Sequence, residues 1–457
     1  MKMQLSEIAK AVGITEVPEE WQTLTITSVQ FDSRKLEPGA LFVPLNGDRD
    51  GHDFIENAVK AAATATFWQS EHANQPSEIP ALLVDNPLKA LQDLAKYYLE
   101  RFNPKVVAIT GSNGKTTTKD MTAAILGSKY NVVKTKANFN NEIGVPLTIL
   151  GMTSNTEVLV IELGMDRPGQ LDLLSHMVQP DTAVITMIGE AHIEFFHTRS
   201  AIADAKMEIT HGLKDDGLFI YNGDEPLLIE RAKTVSERQS TFGLNDADQV
   251  FATDIVVEPT KTTFKVNTDP TIDFSIPLMG EYNVSNALAA ISVGLNYHMK
   301  ESEIATALEN FDLTKNRTEW LKGKNGERIL SDVYNSNPTA VRAVLASTTR
   351  VPTEGKRIAV LGDMLELGVD SDAMHADLAD SLSPEQFQEV YLVGPRMKSL
   401  EENLKGKYSK KNIHYYNSDQ LDELSSQLNA ILTENDVVIL KASHGIHLEN
   451  VVDAIKE

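Results

Sequence analysis

Phosphate chemistry is written most plainly in Val106-Val107-Ala108-Ile109-Thr110-Gly111-Ser112-Asn113-Gly114-Lys115-Thr116-Thr117-Thr118. The β-branched apolar run predicts a buried parallel strand. A glycine-flanked turn follows, and Lys115-Thr116 opens a helical stretch to about Ser128. That order suits a nucleotide phosphate. Gly111 and Gly114, with Ser112 and Asn113 between them, let the backbone approach an anion closely. Free N–H groups at the helix start point at it, and the helix dipole favours negative charge there. Lys115 can reach the β- and γ-phosphates, and the Thr116 hydroxyl can ligate Mg²⁺, with Thr117 in the same turn. The expected ligand is ATP or GTP. The loop is shorter than the general pattern: Ile109 stands where an earlier glycine belongs, leaving Gly-x-x-Gly-Lys-Thr.

Five further places carry residues able to take part. Glu162 ends the apolar run Val158-Leu159-Val160-Ile161. A carboxylate there has a desolvation problem unless it meets a cation such as Mg²⁺; the alternative is a capping or surface role. His192, in Gly189-Glu190-Ala191-His192-Ile193-Glu194, is a metal ligand, a phosphate contact or a structural histidine. Lys206 lies on a predicted helix, where a lysine is ordinarily a solvated side chain. Asn283 and Asn286 share one helix face, and their amides suit an adenine edge; Asn283 could equally cap the helix. Arg317 and Asp332 flank the start of the last domain; the arginine could meet a γ-phosphate across an interdomain cleft and stabilise developing charge, and the alternative is an interdomain salt bridge.

These residues need strands that end together. The candidates Lys105–Thr110, Val158–Leu163, Asp181–Thr186 and Gly217–Asn222 alternate with helical stretches, which predicts a parallel sheet with right-handed crossovers. Lys115 and Glu162 then fall at carboxyl ends of strands, where ligands bind in open α/β sheets. Before this unit, Leu41–Leu45 and Ala81–Val84 read as strands, Phe54–Ala62 and Pro87–Arg101 as helices, and Met1–Lys10 as an amphipathic helix. After it, Arg357–Asp363, Val390–Gly394 and Asp436–Leu440 read as strands of a second doubly wound sheet. Short β-rich runs over 245–278 suggest a β-hairpin insertion. The chain is expected to divide into a small α/β domain at 1–86, a central phosphate-loop domain at 87–313 and a Rossmann-like domain at 314–457.

Composition narrows the class. The 457 residues carry a net charge of −23, with 42 Lys plus Arg against 65 Asp plus Glu. So acidic a chain is a poor partner for nucleic acid or an anionic membrane. The absence of cysteine excludes disulfides, thiolate metal sites and cysteine nucleophiles. No apolar run approaches the length of a membrane span, and the N-terminus does not read as a signal peptide, so a cytoplasmic enzyme is expected.

Taken in order, Thr110–Thr117, Glu162, His192, Lys206, Asn283-x-x-Asn286-Ala287, Arg317 and Asp332 resemble the Mur ligases, the ATP-dependent amino-acid-adding enzymes of peptidoglycan precursor synthesis. The resemblance covers nearly the whole chain. The strings Asp32-Ser33-Arg34, Asn138–Thr148, Asp332–Pro338 and Leu361–Gly368 resemble the branch that joins D-alanyl-D-alanine to UDP-N-acetylmuramoyl-tripeptide. The Asn138–Thr148 string disfavours a sibling amino-acid ligase or folylpolyglutamate synthase. The resemblance implies three domains: one for the UDP-substrate, one ATPase, and a C-terminal one closing over the cleft. It implies that Lys115 holds phosphates, and that Thr116 and Glu162 bind a first Mg²⁺. His192 and a carbamylated Lys206 hold a second. Gly111 to Thr117, Asn283, Asn286, Arg317 and Asp332 contact ATP, with Asp332 near the ribose or Arg317. Ser33, Arg34, Asn138, Asn140 and Asn141 face the UDP-linked substrate, and Tyr334, Asn335 and Asn337 line the cleft. A monomer is expected. In one departure, His444 of Lys441-Ala442-Ser443-His444-Gly445 stands where many relatives carry Arg.

Overall fold

The computed structural model describes residues 1–312, 314 and 317–457. In the first part, β1 (Met3–Gln4) pairs antiparallel with β2 (Thr25–Ile26), and β3 (Ser28–Gln30), β4 (Ala40–Phe42), β5 (Ala65–Gln69) and β6 (Ala81–Val84) form a parallel sheet in that order. The helix expected from Met1 therefore begins only at Leu5, because Met3 and Gln4 are used as strand. Asp50 accepts from both His52 Nδ1 (2.7 Å) and His72 Nε2 (3.1 Å), which closes the loop after β4 onto β5.

The helix Pro87–Phe102 shows how local chemistry sets an element. Asn86 accepts from the N–H groups of Leu88 and Lys89, Pro87 occupies the first turn, and Asn103 ends the helix at φ 43°. Its buried face, including Leu91, Leu94, Ala95 and Tyr98, belongs to an apolar core shared by the N-terminal and central sheets. Burial of one continuous apolar surface fixes those two units to each other.

The central sheet contains β7 (Lys105–Thr110), β8 (Val132–Lys134), β9 (Val158–Glu162), β10 (Thr182–Ile185), β11 (Leu218–Asn222), β12 (Arg238–Gly243), β13 (Val250–Val257), β14 (Thr262–Val266) and β15 (Asp273–Ile276). Their order is β15-β14-β13-β12-β11-β10-β7-β9-β8, parallel up to β13. Helices cover both faces of β7 and β9, so every residue from Val106 to Thr110 and from Val158 to Glu162 is buried. The expected hairpin is a three-stranded antiparallel meander, β13 to β15, which continues the sheet through β12. The strand order reverses between β9 and β10, on either side of β7, so a crevice opens at the end of β7.

The last sheet holds β16 (Glu319–Lys322), β17 (Arg328–Asp332), β18 (Arg357–Gly362), β19 (Glu389–Val393), β20 (Ile413–Tyr416) and β21 (Val437–Lys441), in the order β16-β17-β21-β18-β19-β20. All pairs are parallel except β16 with β17. The expected boundary after Leu313 lies outside the described residues.

Candidate active site

The turn after β7 is shaped by its glycines. Gly114 has φ +83° and Gly111 φ +152°, and a Cβ on either would run into a neighbour: the Asn286 amide at Gly114, the Thr186 hydroxyl at Gly111. The loop is braced from below, where Thr186 donates to the Asn113 carbonyl at 2.5 Å and Ser112 N–H donates to the Met187 carbonyl at 2.9 Å. The helix then runs Lys115–Gly127. Lys115 folds back to donate to the Gly111 carbonyl at 2.8 Å. Burial lowers its ammonium pKa, opposed by the Glu162 carboxylate and assisted by Arg317.

Glu162, 2 % exposed at the end of β9, is hydrogen-bonded on both oxygens: Thr116 donates to Oε2 and Asn140 to Oε1, each at 2.9 Å. Its own N–H donates to Thr135 Oγ1 at 2.9 Å. Asn140, expected to face substrate, lines the cleft and gives its amide N–H to this carboxylate. Asn141 is spent on local structure, accepting from the N–H groups of Ile143 and Gly144. Asn138 lines the cleft together with Tyr334.

His192 is the residue before the short helix Ile193–Phe196, at φ +63°, and its Nδ1 lies against the Glu366 carboxylate of the C-terminal domain. Lys206 lies on the helix Arg199–Met207 but is 2 % exposed, so the solvated alternative fails. Burial holds its pKa well below the usual lysine range, and the Lys115 charge adds to the shift. It has no ion-pair partner among the described residues.

Asn283 and Asn286 share the helix Glu281–Asn296, whose N-cap is Gly280, not Asn283. Both amides are buried: Asn283 donates to the Met279 carbonyl, and Asn286 donates to Asn283 while packing against Gly114. The Arg317 guanidinium lies 4.1 Å from the Tyr334 ring centroid, with its buried Nε unpaired among the described residues. Tyr334 stacks in turn on His444 at 5.5 Å. Asp332 is not joined to Arg317: Lys441, which sequence reasoning missed, donates to it at 2.5 Å, and Thr318 N–H at 3.4 Å. Asn335 accepts from the Ser336 N–H, and Asn337 pairs with Asn113.

These elements enclose a cleft of about 670 Å³ between the central and C-terminal domains, lined by Lys115, Glu162, His192, Lys206, Arg317 and Tyr334 among others. His444 and Glu366 lie on the C-terminal wall. Ser33 and Arg34 do not line it: Arg34 forms a two-bond pair with Asp32 on the N-terminal domain, each bond 2.9 Å. Glu366 lies within the Leu361–Gly368 string but is assigned no role there; its φ of +62° and its contact with His192 are visible in the structure alone.

Three family models match: the Mur ligase family catalytic domain over 25–99, the Mur ligase middle domain over 109–294, and the Mur ligase glutamate ligase domain over 316–444. The chain is 38% identical to UDP-N-acetylmuramoyl-tripeptide–D-alanyl-D-alanine ligase of Bacillus subtilis, over 100% of this chain and 99% of that one. Among solved structures it is similar to MurF from Acinetobacter baumannii, at 28% identity, TM-score 0.88, covering 99% of this chain and 98% of that one. It is also similar to MurF ligase from Thermotoga maritima in complex with ADP, at 28% identity, TM-score 0.81, covering 93% and 96%.

Proposed function

The chain belongs to the Mur ligase family, and from that premise we propose that it uses ATP to join D-alanyl-D-alanine to UDP-N-acetylmuramoyl-tripeptide, giving the pentapeptide precursor of peptidoglycan. Both acceptor and donor are small molecules. The observation that carries the reading is the meeting of Lys115, Glu162, His192 and Lys206 in one cleft whose other wall is Arg317 and Tyr334.

The residues present fit a nucleotide and divalent cations. Two glycines leave space that a Cβ would fill, and Thr116 and Glu162 offer the hard oxygen donors that Mg²⁺ prefers. Thr116 and Glu162 would hold one ion; His192 and Lys206, as its carbamate, would hold a second. Burial makes the Lys206 ammonium give up its proton more readily than an ordinary lysine, and the free amine can add to CO₂ with loss of a proton to give an anion. When bound, Mg²⁺ offsets the repulsion between phosphates and an incoming carboxylate.

The chemistry asked of the site is activation of an inert acid. The tripeptide carboxylate attacks the γ-phosphorus of ATP, giving an acyl phosphate and ADP. The dipeptide amine, as free base, attacks the acyl carbon, and the tetrahedral adduct collapses to amide and inorganic phosphate. Lys115 and Arg317 supply positive charge where the transferring group develops negative charge. The two steps together bring three substrates into one cleft, so proximity supplies much of the rate. No helix among the described residues is long and apolar enough to cross a membrane, and the reading takes the chain to be a cytoplasmic monomer.

The test is incubation with ATP, Mg²⁺, UDP-N-acetylmuramoyl-tripeptide and D-Ala-D-Ala, followed by mass analysis. The expected product carries the dipeptide less one water, and single amino acids do not replace it. ATP cleavage at full speed without any carboxylate acceptor, or joining without nucleotide, would overturn the reading.

A further inference from the structure

Asn113 of the phosphate loop and Asn337 of the C-terminal domain are paired through both amides. Asn337 Nδ2 donates to Asn113 Oδ1 at 2.8 Å, and Asn113 Nδ2 donates to Asn337 Oδ1 at 3.2 Å. The same Asn337 oxygen accepts from Ala340 N–H at 3.0 Å and so caps the helix Pro338–Thr349. That cap fixes which end of the Asn337 amide is oxygen, and the pairing then fixes Asn113. Asn337 is only 1 % exposed.

The loop is thus held from two directions. Thr186, on the central sheet, grips the Asn113 carbonyl, and Asn337 grips its side chain. The two grips differ in permanence. Thr186 belongs to the same domain as the loop. Asn337 reaches it only across an interface whose neighbouring contacts are polar: Thr339 to Glu190 at 2.7 Å, and His192 to Glu366. Polar contacts exchange with water at small net cost, and only a few central-domain apolar residues, Met279, Ile193, Val257 and Tyr282, pack on the C-terminal core, so this interface can part more readily than that of the N-terminal and central domains, which share one extensive apolar core.

We infer that Asn337 is a positioning residue that holds the phosphate loop, through Asn113, in its transfer-competent shape only when the C-terminal domain is docked. Nucleotide binding and filling of the interdomain cleft are then coupled, and each favours the other. The inference rests on the ligase reading above for its substrates.

Two variants separate clamp from cap. Asn337→Ser retains a capping hydroxyl but is too short to reach Asn113. Asn337→Asp retains the cap and one of the two amide bonds. Calorimetry on the full chain would measure affinity for Mg²⁺ with a non-hydrolysable ATP analogue, with and without UDP-N-acetylmuramoyl-tripeptide. In the unaltered chain the tripeptide is expected to tighten nucleotide binding about tenfold. In Asn337→Ser that factor should fall to about two or less, with Asn337→Asp between. Ligation kcat should drop about tenfold or more, while KM for D-Ala-D-Ala changes less than about threefold. Asn113→Ala, which touches no cap, should behave as Asn337→Ser does, and the double variant no worse than either. Normal coupling and kcat in Asn337→Ser and Asn113→Ala, additive losses in the double variant, or an unaltered chain that ligates without any coupling would each overturn the inference. An unaltered chain that does not ligate would instead overturn the ligase reading.

Discussion

Thr116 donates its hydroxyl hydrogen to Glu162 Oε2 at 2.9 Å, across 46 residues of chain. One residue opens the helix after β7 and the other closes β9, two strands that are neighbours in the sheet. Asn140 occupies the second carboxylate oxygen, so the pair is oriented without any ligand. Preorganised oxygens of this kind need little rearrangement to accept a cation.

Glu162→Gln keeps the shape and can still accept from Asn140, but removes the charge. Ligation is expected to fall about a hundredfold or more. Titration of Mg²⁺ at saturating ATP should show a weaker apparent metal affinity. Wild-type Mg²⁺ dependence would remove Glu162 from its proposed role.

Lys206→Ala is expected to abolish ligation, with partial return in acetate or formate, because a short carboxylate can replace the anion of a carbamate in the space left behind. Carbon NMR with labelled bicarbonate gives an independent readout: a carbamate carbonyl signal in the unaltered protein and none in the variant. Full activity of the variant without additive would defeat the assignment.

Gly114→Ala forces a side chain onto a backbone at φ +83° and against the Asn286 amide. The left-handed conformation alone costs about 1–2 kcal/mol. Affinity for ADP measured by calorimetry should fall about tenfold or more, and unchanged affinity would show that the loop tolerates a wider turn.

Asp181, at the opposite end of the sheet, predicts a pH dependence. Burial opposes its ionisation, but hydrogen bonds from Lys105, Lys214 and the Val106 N–H outweigh burial and hold its pKa below the usual value. A carboxyl with a depressed folded pKa contributes stability above its unfolded pKa of about 4, and loses it as pH falls through the lower folded value. Asp181→Asn should therefore cost about 2 kcal/mol at pH 7 by urea unfolding. The gap to the unaltered protein should shrink as pH drops below about 4. A gap that stays constant with pH would mean the ion pairs contribute nothing.

Much of the framework is legible in the sequence because it is local. Strand β7 and the helix from Lys115 follow from a β-branched run, two glycines and a helix opening, all within reach of one another. The helix Pro87–Phe102 announces itself through Asn86 and Pro87. The short strand Met3–Gln4 does not, because its strand state depends on Thr25 and Ile26, and a helical pattern beginning at Leu5 masks it.

The sequence by itself determined which residues are of a type and position suited to phosphate and metal chemistry, since residue type and position at a strand end are properties of the chain. Tertiary structure decided what each of them touches. Lys206 looks like a surface lysine until packing buries it, and its lowered pKa arises from that lost solvation. Asp332 is claimed by Lys441, Asn140 by Glu162 and Asn337 by Asn113, through hydrogen bonds spanning 109, 22 and 224 residues. No spacing rule encodes such pairs, because which donor meets which acceptor depends on how sheets and domains are stacked in space.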